Sequence, residues 1–210
     1  LFVLCVARVS FGDDFSKGSP IYEKLAAPMN SVFDGKSFRS AISGIADQVG
    51  LNIWLDRSVD PTTIVKAASP GSNVYGALSQ IAASRDCVIM PISNVLLIGH
   101  RDRVAKLSAA ILRFPTTLTG TSSERVNIKW DDLTTPTDAL KQSTENTSNA
   151  SLALPHDLWP KNRWRQIKKK VAVALILGQF DLQFDHSSFP QRLVTSSIRD
   201  AGRLKRRYSK

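Results

Sequence analysis

The sequence predicts an α+β fold: two small modules with helices packed on short mixed sheets, the first running β-α-β-β-α-β-β. Three observations predict it. Segments with apolar residues at i, i+3, i+4 and i+7 alternate with short apolar runs too brief for helices. Turn residues separate neighbouring short runs closely enough for hairpins, as Ser93-Asn94 does between Asp86–Ile92 and Val95–Gly99. The same order of segments recurs past residue 124 in a looser form.

The chain opens with the apolar run Leu1–Ala7, too short to span a bilayer, followed by Ser10-Phe11-Gly12 and then Asp13-Asp14. A small-x-small site after an apolar run is the pattern of a secretory signal peptide, so residues 1–12 are expected to be its back half. A buried first strand is the competing reading. Residues 13–28 are polar, with one helical turn expected at Ile21–Leu25. Met29–Phe33 reads as a strand closed by a turn at Asp34-Gly35.

Ser37 suits the N-cap of a helix over Phe38–Val49, whose stripe is Phe38, Ala41, Ile42, Ile45 and Val49. Gly50 is placed to end it in the left-handed conformation. Leu51–Leu55 follows as a strand, with Leu51, Ile53 and Leu55 on one side and Trp54 on the other. Ile64–Ala68 is a further strand and Pro70-Gly71-Ser72 a turn. Asn73 can cap a second helix, Val74–Ser84, striped by Val74, Ala77, Leu78, Ile81 and Ala82. The hairpin 86–99 closes the first module, and its helices are expected on one face of a small mixed sheet. Cys87, in the run Cys87-Val-Ile-Met, is expected to be a small buried core residue.

Residues 100–123 are expected to be a connecting helix, with Val104, Leu107, Ala110 and Ile111 as its stripe, and a Thr/Ser/Gly-rich linker at 116–123. The second module, 124–185, opens with the alternating strand Val126–Trp130. Pro136 can take the first turn of a helix over Thr137–Asn146. Ser148–Leu154 reads as a strand, 155–160 as a loop anchored by Leu158 and Trp159, Trp164–Leu177 as a helix, and Phe180–Phe184 as a strand. The pattern stops after Asp185, and 186–210 is expected to be a solvated or disordered basic tail.

The motif Ser37-Phe-Arg-Ser-Ala-Ile-x-x-Ile-Ala-x-x-x-Gly-Leu-Asn-Ile-x-Leu-Asp56 resembles the short N-terminal domain shared by bacterial secretins and TonB-dependent receptors. Val74–Ala82 carries a second copy of the helix signature, and Val95–Gly99 matches the closing apolar run. The resemblance covers about residues 29–99. It implies a periplasmic interaction module and offers no catalytic residues. No secretin pore domain or outer-membrane barrel accompanies it, because no series of alternating barrel strands follows. Further on, Val126–Trp130, Leu154–Pro160 and Gly178–Phe184 look similar to uncharacterised secreted planctomycete proteins that carry such domains.

The 210 residues are 42% hydrophobic and 22% charged, ordinary for a globular chain. The net charge of +10 suggests nucleic acid until it is located. Residues 1–100 carry 8 basic and 8 acidic side chains, and residues 101–160 carry 7 of each. Residues 161–210 carry 13 against 3, so the whole excess lies there.

The remaining candidates each have a plain structural reading. His100, His156 and His186 have no second ligand at metal spacing, so no metal or other cofactor is expected. His156-Asp157 has the types of a base and its orienting acid but no nucleophile motif, and local hydrogen bonding in the 155–160 loop is the preferred reading. Adjacent Asp131-Asp132 diverge too much for acid/base work and are expected to cap or be solvated. Lys168-Lys169-Lys170, near Trp159 and Trp164, is read as the open face of a helix with both tryptophans in the core, against a single-strand nucleic-acid site. The glycosylation patterns at Asn146 and Asn149 are read as chance. No catalytic residue is assigned. The expectation is a secreted or periplasmic, non-enzymatic protein-interaction module of the bacterial envelope, with a protein partner and no membrane-spanning segment. The alternative is a nucleic-acid-binding protein using the basic C-terminal region, and a weaker one is a hydrolase using His156 and Asp157.

Overall fold

A computed structural model describes residues 20–114, 124–144, 154–183 and 196–197. Expectations for 1–12, the linker, most of 148–154, Asn146, Asn149, His186 and nearly all of the basic tail lie outside them. The fold is α+β, with helices interleaved among small separate sheets.

The order begins α1 (Pro20–Ala26), β1 (Pro28–Ser37), α2 (Phe38–Val49), β2 (Asn52–Leu55), β3 (Ile64–Asn73), α3 (Val74–Ala83), β4 (Cys87–Ile92) and β5 (Val95–His100). The Ser37 side chain accepts from Ser40 N–H at 3.3 Å, and Gly50 ends α2 at φ 66°. Asn73 Oδ1 accepts from Gly76 N–H at 2.8 Å, capping α3.

The five strands do not join into one sheet. β1 and β3 pair antiparallel as a ribbon, whereas β2, β5 and β4 form a three-stranded sheet in that order. Both ribbon strands also run past the turns read from the sequence. Asp34-Gly35 is a bulge inside β1, with the register slipping between Asp34 and Lys36 and Gly35 at φ 69°. Pro70-Gly71 lies within β3, opposite a second slip between Met29 and Ser31. A two-stranded ribbon tolerates proline and glycine because each strand has a free edge and bulges absorb the missing ladder bonds.

Beyond β5 come α4 (Arg101–Arg113), β6 (Arg125–Trp130), α5 (Pro136–Thr144), β7 (Asn162–Lys168), α6 (Lys169–Gly178) and the two-residue strands β8 (Leu182–Gln183) and β9 (Ser196–Ser197). The expected helix over Trp164–Leu177 is therefore only half right. Its first part is β7, antiparallel to β6, and the helix begins at Lys169. The buried residues of β7 are Trp164 and Ile167, three apart, which mimics a helical stripe. The cause is a bulge: the register slips between Val126 and Ile128, and Gln166 sits at φ 50° with its N–H on Asn127 Oδ1 at 2.9 Å. One inserted residue shifts the strand's period of two into an apparent i, i+3. The expected strand at 180–184 shrinks to β8, because Phe180 and Asp181 continue the turn that ends α6.

Two cores meet at the three-stranded sheet. One gathers Phe38, Ile42 and Ile45 of α2, Leu78 and Ile81 of α3, Phe33 and Val65 of the ribbon, and Leu96 and Ile98 of β5. The other gathers Val95 and Leu97 of β5, Trp54, Val104 and Leu107 of α4, and the second half's Trp130, Trp159, Trp164 and Val171–Leu177. Successive β5 residues thus face opposite cores, which is why Val95–Gly99 is apolar throughout rather than alternating. α6 is buried along its whole length for a related reason, being packed by α4, α5 and β7.

Candidate functional site

Where the two halves meet they leave a cleft of about 660 Å³. α2 contributes Arg39, Ile42, Ser43 and Ala46, one line of residues along the helix, with the acid Asp47 beside them. β2 contributes Ile53, Trp54 and Leu55, with Arg57 and Val59 beyond it. The opposite wall is Lys129–Asp131 at the end of β6 and the segment Asp157–Arg163.

Trp54, Trp130 and Trp159 line its floor, with Trp164 packed behind them against Trp54 and Trp130. Trp54 and Trp164 lie 5.0 Å apart between centroids, Trp130 and Trp164 5.0 Å, and Trp54 and Trp159 5.4 Å. Three indole nitrogens are anchored: Trp130 to Pro160 O at 3.0 Å, Trp159 to Asp157 Oδ2 at 3.1 Å and Trp164 to Ile53 O at 3.2 Å. The Trp54 nitrogen is buried and has no partner among the described residues. Edge-on and tilted packing of this kind adds to the area buried and holds the rings in place.

β7 is fastened to β2 by side chains acting as backbone surrogates. Asn52 donates to Arg165 O at 2.8 Å and accepts from Arg165 N–H at 2.8 Å, and Asn94 donates to Gln166 O at 2.7 Å. At the far end, buried Asp56 accepts from Ser58 N–H at 3.0 Å and meets Arg103 Nε at 3.4 Å. Arg103 also pairs with Asp181 at 2.6 Å and donates to Gly178 O and Gln179 O, carbonyls at the end of α6. Gln179 accepts from Arg57 N–H at 2.9 Å, leaving its own Nε2 without a partner. The Arg57 guanidinium lies over Phe180, 4.9 Å from the ring centroid.

The cleft's charges are unevenly matched. Asp131 pairs with Lys129 at 3.7 Å, and both Asp157 oxygens are taken up locally, by Leu158 N–H at 3.0 Å and the Trp159 indole. Half-buried Arg39 has its pKa lowered by burial, partly offset by the charge of Asp132. Among the described residues Arg39, Lys161 and Arg163 make no ion pair.

The sequence candidates fall as follows. His156 is exposed, and Asp157 next to it is spent on holding Trp159. Asp132 accepts from Lys161 N–H at 2.8 Å and so positions the cleft wall, while the cap of α5 is Thr135, accepting from Asp138 N–H at 3.2 Å. The lysine run is not the open face of a helix. Lys168 closes β7, and Lys169 is 8% exposed, 3.9 Å from Glu124. Trp159 and Trp164 are both buried in the core. His100 is exposed and Asp86 O is 3.4 Å from its Nδ1. Among the described residues no three His, Cys, Asp or Glu side chains converge, and no helix is long and apolar enough to cross a membrane.

Cys87 is 5% exposed, and burial, then Asp86 and Asp56, push its thiol pKa up. A thiol held protonated is a weak nucleophile. Alkylation of Cys87 by iodoacetamide at neutral pH is expected to be on the order of a hundredfold slower in the native protein than in urea. Mass spectrometry of the Cys87 peptide reads it, and equal rates would show that β4 opens readily.

Sequence reasoning missed Arg39, Arg57 and Arg103. The one available signal was the line Arg39, Ile42, Ser43 and Ala46 beside the main stripe of α2, a second partly apolar face that called for a neighbour. No family model matches the chain, and no curated protein matches it.

Proposed function

We propose that this chain is a secreted or periplasmic, non-enzymatic protein-interaction module of the bacterial envelope, related to the short N-terminal domain of secretins and TonB-dependent receptors. The observation that carries the reading is the run of elements from Pro28 to His100. It goes strand, helix, two strands, helix, two strands, with the Ser37–Asp56 signature on α2 and β2 and its second copy on α3. The chemistry of the cleft agrees with holding a partner. Its walls offer rings, apolar side chains and hydrogen-bond donors, and the acid of the His156-Asp157 pair is occupied in anchoring Trp159. Small sheets also leave edges that a partner strand can use: β4 and β2 are edge strands, and each strand of the β1–β3 ribbon has one neighbour.

The test is localisation of the tagged full-length gene product in a diderm bacterium. The expected result is a processed protein in the periplasmic or extracellular fraction, recovered by cross-linking in a specific complex with an envelope protein. An unprocessed cytosolic pool would reject the reading.

A further inference from the structure

Resting on the reading of this chain as a protein-binding module, we infer that the cleft takes an extended acidic segment of the partner. The segment lies along the outer edge of β2, with its carboxylates against Arg39, Lys161 and Arg163 and an apolar side chain over Ile53 and Leu55.

The backbone is the first ground. β2 is an edge strand, parallel to β5. Asp56 N–H donates to Ile98 O at 2.8 Å on the β5 side, and Ile53 O accepts from the Trp164 indole on the other side. Bonding to a parallel neighbour alternates along a strand, so Ile53 and Leu55 both turn their peptide groups away from β5. β7 closes the first part of that edge through the Asn52–Arg165 bonds and Trp164. The part at Leu55 borders the cleft, where a strand is offered main-chain partners.

Charge is the second ground. The cleft's own acids are outnumbered by its cations: Arg39, Arg57, Lys129, Lys161 and Arg163 line it against Asp47, Asp131 and Asp157, and of these acids Asp131 already has Lys129, and Asp157 has Leu158 N–H and the Trp159 indole. Arg39 is half desolvated without an ion pair, a cost that a partner carboxylate removes, and its planar fork suits bidentate recognition. The unpartnered Gln179 amide on the cleft lining is one more donor. Donors and cations around an apolar floor select an acceptor-rich, acidic chain with interspersed apolar side chains. A basic one is disfavoured by like charge.

The experiment is selection of a displayed random decapeptide library on the full-length protein, followed by fluorescence anisotropy of the enriched peptides. Enriched peptides are expected to place Asp or Glu beside Leu, Ile, Val or an aromatic residue. They should bind Arg39→Gln/Arg163→Gln about tenfold more weakly than wild type, and weaken with added salt. Backbone amide NMR shifts should concentrate at Leu51–Arg57 and Asp157–Arg163. An unchanged melting temperature checks that the double variant is folded. No enrichment, a basic or charge-free consensus, shifts elsewhere, or equal binding by the variant overturns the proposal. So does concentration-dependent dimerisation lost in the same variant, which would give the edge to a second copy. A cytosolic location would sink the envelope reading alone, whereas an envelope partner indifferent to the double substitution would sink this one alone.

Discussion

Trp164→Ala is expected to destabilise the protein by about 4 kcal/mol, in the range of large aromatic truncations in a core. Trp164 is fully buried and lies against Trp54 of the first half and Trp130 of the second. Its indole N–H supplies Ile53 O, a carbonyl on the outward edge of β2 that would otherwise lack a protein partner there. The truncation therefore leaves a cavity between the halves and an orphaned acceptor together. Trp164→Phe separates the two, because it keeps a ring and loses the hydrogen bond. About 1 kcal/mol of its cost is ascribed to that bond. Urea unfolding followed by circular dichroism measures both. If Trp164→Ala costs under about 2 kcal/mol, the tryptophan floor does not hold the halves together. Because the floor shapes the cleft, the same substitution should also abolish peptide binding, while Trp164→Phe should retain it.

Arg103→Met is expected to cost about 3 kcal/mol, as removal of one partner of a buried ion pair does. Asp56 has no exposed side-chain area, and it faces Arg103 Nε at 3.4 Å. Methionine keeps much of the arginine's apolar stem while leaving that carboxylate with only Ser58, and it also strips donors from Gly178 O and Gln179 O. A double-mutant cycle with Asp56→Asn isolates the pair: the double variant should be less destabilised than the sum of the singles, since neither charge is then stranded. Additive costs would show that Asp56 draws its stabilisation from Ser58 and water instead. The Asp181 contact, on a half-exposed partner, contributes little by comparison.

Much of the first half was legible because its elements announce themselves locally. Ser37 and Asn73 cap the helices read from them, Gly50 ends α2, and Ser93-Asn94 joins β4 to β5. Trp54 pointing away from Leu51, Ile53 and Leu55 was readable from strand alternation, and it places Trp54 in one core while its neighbours pack on the other. Three of the misreadings share a cause. Asp34-Gly35, Pro70-Gly71 and Gln166 are all places where a strand is irregular. Bulges carry the residue types of turns or the spacing of helices. Local pattern cannot separate a turn that ends a strand from a slip that continues it, because the difference lies in whether a partner strand is present.

The cleft was illegible for a further reason. Arg39, at the margin of the main stripe of α2, has the look of any surface arginine, and Arg103 that of an ordinary first-turn residue. Each gains its meaning from groups far along the chain: Arg39 from the 129–132 and 157–163 wall, Arg103 from Asp56 and the end of α6.

By itself, then, the sequence determined the α+β class, the positions of α2, β2, α3, β4 and β5, and the caps that bound them. These follow from hydrophobic periodicity and from hydrogen bonds spanning a few residues. Only the tertiary structure decided that β5 is covered on both faces, that Asn162–Lys168 is a strand, and that β2 has an edge half closed by β7. Those outcomes depend on pairs such as Asn52 with Arg165, 113 residues apart. A side chain's burial there is set by what the rest of the chain brings against it, which no local spacing encodes.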